Sequence, residues 1–116
     1  YAAVMISKTH PVGIDIEQVK EKVERIAHKF MQPDEMAFIN DQHKIQQLYV
    51  CWCAKEAVYK YYGQKEVSFA DNISLKPFNF DKECVVDAHL NKVAVSRDYR
   101  VNYLQYEDYM IGYVKG

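Results

Sequence analysis

Hydrophobic positions recur along this chain with a period that changes twice, dividing it into strand, helix and strand. Tyr1 to Ser7, YAAVMIS, is a short apolar run with aromatic and β-branched content and predicts a strand. KTHP is a turn. VGIDIE then predicts a second strand, in which Val12, Ile14 and Ile16 alternate with Gly13, Asp15 and Glu17. From Val19 to Met31 the spacing becomes helical, with Val19, Val23, Ile26, Ala27 and Phe30 on one side and charges filling the rest. QPDEMAFIN restarts a helix: Pro33 suits a first turn, and Asp34 and Glu35 suit its positive dipole end. A long helix is predicted from about Asp41 to Tyr62, with Gly63 as its stop. Beyond it NISLKPF, CVVDAHL, KVAVSRD, RVNYLQYE and YMIGYVKG are short alternating segments that predict strands. The order predicts an α+β fold, a β-α(2-3)-β(2-4) unit with helices packed on an antiparallel sheet.

Composition narrows this picture. A length of 116 residues suits a single domain over 1–116. Fifteen basic and sixteen acidic residues give a net charge of −1, so no basic excess exists for non-specific nucleic-acid binding. Any phosphate site must be a local arrangement. Cys51, Cys53 and Cys84 form neither a disulfide framework nor a zinc spacing. On a helix the first two point about 200° apart, which is poor for joint ligation. A reducing, cytoplasmic setting is expected. No apolar run reaches the roughly 18 residues of a membrane span. The chain begins at Tyr1 in what reads as a strand, so a site shared with upstream residues is expected.

Two stretches carry candidate chemistry. In GIDIE, Asp15 and Glu17 lie two apart on a strand and project from the same face, where like charges repel unless a cation or hydrogen bonds hold them. Gly13 beside them lets backbone or a ligand approach closely. In CWCAKEAVYK, stepping by about 100° per residue puts Val50, Cys53, Ala54, Ala57 and Tyr61 on an apolar stripe. Trp52, Lys55, Glu56, Tyr59 and Lys60 fall opposite. A surface Glu–Lys pair accounts for Glu56 and Lys60 taken alone. With the strand, however, they form a coherent set. Three hard carboxylates, Asp15, Glu17 and Glu56, suit Mg²⁺, and Lys60 one turn further on suits phosphate charge or proton transfer.

PVGIDIE, followed about 35 residues later by WCAKEAVYK, resembles the paired signatures of the 4'-phosphopantetheinyl transferases. IAHKFMQPDEMAFI between them resembles that family's intervening segment, with Lys29 and Met31 in place of its more usual residues. The resemblance implies transfer of the 4'-phosphopantetheine arm of coenzyme A onto a serine of an apo acyl or peptidyl carrier protein, as in the holo-acyl-carrier-protein synthases that serve fatty acid biosynthesis, releasing adenosine 3',5'-bisphosphate. It implies Asp15, Glu17 and Glu56 as Mg²⁺ ligands, and Glu56 and Lys60 as catalytic groups. Lys55, Lys60, Gly63 and Lys65 are implied near coenzyme A. Glu56, Lys60 and a metal-bound water all remain candidates for the general base.

The acid of DIE resembles the surfactin-synthetase-activating, pseudo-dimeric type, whose two similar halves hold coenzyme A between them. This chain resembles the C-terminal half. Either an upstream half or assembly into a homo-oligomer is therefore expected to complete the pocket. A non-catalytic half-domain that binds a carrier protein or aids assembly is the alternative. Retention of all three acids and Lys60 argues against it. His10, His28, His43 and His89 share no ligand spacing, and Glu35 reads as a helix N-terminal charge.

Overall fold

The computed structural model describes residues 12–63, 67–81, 83–92 and 95–115. The expected strand at Tyr1 to Ser7 lies outside them, as do His10 and Lys65. Five strands, β1 (Val12–Gln18), β2 (Ile73–Leu75), β3 (Glu83–Lys92), β4 (Val95–Tyr106) and β5 (Tyr109–Lys115), form one antiparallel sheet in the order β1-β5-β4-β3-β2. Between β1 and β2 come α1 (Val23–Ile26), α2 (Pro33–Met36), the long α3 (Lys44–Tyr62) and α4 (Phe69–Asn72). The architecture is the α+β arrangement expected from the pattern.

Two boundaries moved. The helix expected over Val19 to Met31 shrinks to α1 and a 3₁₀ turn, Ala27–Lys29. It buries only Val23 and Ala27, too little apolar surface to hold a longer helix in place. The segments KVAVSRD and RVNYLQYE form one strand, β4, paired to β3 from Leu104 to Val95. Ser96, Arg97, Asp98 and Arg100 are exposed there, so their polarity does not oppose pairing.

The core lies between the sheet and α3. Leu48, Val50, Cys51, Cys53, Ala54, Ala57 and Val58 of α3 meet Val86, Ala88, Leu90, Val101, Tyr103, Met110 and Val114 of the sheet. Phe30 and Met31 close the helix from its other side. Cys51 and Cys53 are buried free thiols, the packing role that their divergence on the helix suggests. Burial pushes both thiols up, Cys53 also through the Asp15 charge.

The alternation in β1 resolves against hydrophobicity. The face turned toward α3 carries Gly13 and Asp15, both buried, whereas Ile14 and Ile16 on the opposite face are only half-buried. Gly13 is the reason. A methyl at its Cβ position would collide with the Ala57 carbonyl oxygen and lie 2.8 Å from the Tyr61 nitrogen. The helix backbone therefore rests on the strand backbone, and the acids after Gly13 slide under the helix.

Gly13→Ala is expected to destabilise the chain by about 3 kcal/mol or more, the upper range for overpacking, because backbone rather than a mobile side chain blocks the methyl. Urea unfolding checks this; a midpoint close to that of the parent chain refutes the contact.

Candidate active site

The long helix places its chemistry by register. Glu56 and Lys60 are i and i+4, so they share the face of α3 that overhangs β1. Lys60 Nζ donates to Asp15 Oδ1 at 2.9 Å and to the Ile14 carbonyl at 3.0 Å. Asp15 is 5% exposed, and its second oxygen, Oδ2, is buried with no direct donor in hydrogen-bond geometry to it among the described residues. Glu17 and Glu56 are half-buried beside it.

The three carboxylates act on one another. Burial, then a shared proton with Asp15 and the Asp15 charge, raise Glu17 to about 7, with Glu56 adding to the shift and a hydrogen bond with Trp52 opposing it. Burial and the Asp15 charge likewise raise Glu56, against the pull of Lys60. Burial lowers Lys60, but the Asp15 hydrogen bond and the surrounding acids prevail and raise it. One ammonium does not satisfy three acids. Negative charge is in excess here, and besides Lys60, Asp15 has only the Glu17 carboxyl and the Cys53 thiol as hydrogen-bonding neighbours among the described residues.

Trp52 anchors the rim. Its ring meets Phe30 edge-on with centroids 5.0 Å apart and Phe69 at 5.5 Å, so it braces the acidic face through packing as well as through Glu17.

Lys55 requires a correction. The helical wheel put it with Glu56 and Lys60, near a coenzyme A phosphate; the structure instead buries it completely. Its Nζ donates to Glu35 Oε1 at 2.6 Å, to the Phe30 carbonyl at 2.6 Å and to the Phe69 carbonyl at 3.0 Å. All three ammonium hydrogens are used, leaving none for a ligand. Glu35 is the N-terminal helix charge expected, capping α2 from its third position, but it is buried rather than solvated. It is 2% exposed and also accepts from the Gln32 and Leu75 backbone nitrogens at 2.8 and 2.7 Å. One carboxylate thus ties α2, α3 and β2 together. The sequence does carry a faint signal, since Lys55 lies four residues after Cys51 and three before Val58, both fully buried.

Gly63 ends α3 in the left-handed region, with φ 73°, and its nitrogen bonds to the Tyr59 carbonyl at 3.0 Å. It stops the helix as expected, within one turn of Lys60. Away from this site, His89 Nδ1 lies 2.6 Å from Asp98 Oδ1, and Ser96 Oγ lies 3.2 Å from His89 Nε2. Asp98 is 87% exposed, so water competes for every bond in that row.

Among the described residues no three His, Cys, Asp or Glu side chains converge closely enough to enclose a metal ion. The acidic set is open on the solvent side. Its chemistry nevertheless fits a hard divalent cation: oxygen donors only, the Asp15 carboxylate among them buried, and more negative than positive charge.

A family model described as the 4'-phosphopantetheinyl transferase superfamily matches residues 11–114. The chain belongs to the 4'-phosphopantetheinyl transferase superfamily. No curated protein matches it as a relative. Membership gives the general activity, phosphopantetheine transfer, and makes the chain a transferase. Members of this superfamily generally use coenzyme A and carrier-protein substrates. Among the described residues no helix is long and apolar enough to cross a membrane.

Two outcomes follow from these charges. Lys55→Met strands the buried Glu35 carboxylate and is expected to cost about 3–5 kcal/mol, the usual penalty for removing half of a buried pair. Replacing both, as Lys55→Met with Glu35→Leu, is expected to recover much of that loss in the same denaturant titration. The second concerns pH. Glu17 binds its proton more tightly folded than unfolded, so stability falls as pH rises from about 4.5 to about 7. In cation-free buffer this slope is expected to flatten in Glu17→Gln, as read from melting temperatures across that window.

Proposed function

We propose that this transferase moves the 4'-phosphopantetheine arm of coenzyme A to a serine of an acyl or peptidyl carrier protein, in a Mg²⁺-dependent reaction of the surfactin-synthetase-activating type. The observation that carries the reading is that Asp15, Glu17 and Glu56 act electrostatically on one another and on Lys60, which is bonded to the buried Asp15. An acid cluster this under-neutralised suits a divalent cation together with an anionic substrate. The same residues stand in the two motifs that resemble the family.

Asp15, Glu17 and Glu56 would hold Mg²⁺, which when bound stabilises negative charge on the diphosphate and its leaving phosphate. Lys60 offers its remaining ammonium hydrogen to a phosphate oxygen. The carrier serine Oγ forms a bond to the β-phosphorus while the bond from that phosphorus to the bridging oxygen breaks. Adenosine 3',5'-bisphosphate leaves with the electron pair. The serine proton passes to a base; Glu56, raised by burial and Asp15 toward the working pH, suits that role. Lys55 takes no part at the substrate. Its pair with Glu35 fixes the helix that carries Glu56.

Incubation with apo acyl carrier protein, coenzyme A and Mg²⁺, followed by mass measurement of the carrier, tests the reading. One phosphopantetheine adduct is expected, reduced at least about a hundredfold in rate by Glu56→Gln or Asp15→Asn, the low end for a lost acid–base group. A chain carrying both matching halves that gives no adduct at any Mg²⁺ concentration sinks the proposal.

A further inference from the structure

Asp15 is buried, and the Lys60 ammonium stands 2.9 Å from its carboxylate. The two partners differ in freedom. Asp15 is on β1, clamped between α3 and β5 through the Gly13 contact and the Asp15–Gly112 register pair. The Lys60 side chain is 46% exposed, on a four-carbon stem with rotatable bonds. Its two bonds, to Asp15 Oδ1 and the Ile14 carbonyl, are to β1.

We propose that Lys60 is the resting counter-ion of Asp15, an internal stand-in for the divalent cation, and that cation binding releases it toward the diphosphate. The inference rests on the reading of this cluster as a site for a divalent cation and a diphosphate. A metal ion within bonding distance of the Asp15 carboxylate repels the ammonium already there. Asp15 cannot withdraw, so Lys60 does. Release adds the two hydrogens now held by β1 to the one already free for phosphate, so the cation's arrival strengthens the grip on the diphosphate.

The test uses the same chain and Mn²⁺ as the probe, without nucleotide, with free Mn²⁺ read by electron paramagnetic resonance. Lys60→Met is expected to bind Mn²⁺ at least about fivefold more tightly than the parent, the lower end of ordinary coupling between ligands. A second readout separates release from simple loss of charge. In the parent chain, acetic anhydride should label Lys60 slowly and then severalfold faster on adding Mg²⁺, with Lys44 as internal reference. Asp15→Asn should label fast without Mg²⁺. Unchanged or weaker Mn²⁺ binding in Lys60→Met, or Lys60 labelling indifferent to Mg²⁺, overturns the inference while leaving the transferase reading intact. Absence of Mn²⁺ binding in both parent and variant overturns the metal reading beneath it, and the inference with it.

Discussion

The close approach of α3 to β1 at Gly13 governs the rest of the structure. Because the strand has no side chain there, the Ala57 carbonyl and the Tyr61 nitrogen come down onto its backbone. That contact draws the following acid, Asp15, beneath the helix rather than letting it face water. It also sets Lys60, one residue before Tyr61, within reach of β1. A bulkier residue at position 13 would lift the helix and separate Lys60 and Glu56 from Asp15 and Glu17.

The two lysines of α3 illustrate how burial sorts identical side chains. Lys55 enters the interior, where three acceptors use its three hydrogens and Glu35 matches its charge. Such a pair adds little net stability, yet it joins three elements that have few other reasons to meet. Lys60 stays at the edge with a hydrogen to spare. One lysine organises the helix and the other stands at the reacting end. Their difference is a matter of exposure rather than residue type.

The acidic cluster is held in a state that folding alone would not favour. Three carboxylates face one ammonium, and burial raises Glu17 and Glu56 above ordinary carboxylate values. A core selected only for stability would put apolar groups there, and Ile14 and Ile16 on the same strand face outward instead. The chain retains this electrostatic cost at the place where we propose that a cation binds. Excess charge here is the counterpart of binding.

Much of this was legible in the chain alone. The change of hydrophobic period gave the α+β order, and Gly63 gave the end of α3, because both are local properties of backbone and side-chain spacing. The pairing of GIDIE with WCAKEAVYK marked Asp15, Glu17, Glu56 and Lys60 as one set. Tertiary structure decided which face of β1 turns inward, because that depends on a helix more than forty residues away settling on Gly13. It also decided that Lys55 and Glu35 belong to the interior. A helical wheel gives the angle between residues but not how many sides of the helix are covered. α3 is covered by the sheet on one side and by the α1–α2 segment and α4 on another, so an angle that reads as exposed was closed over.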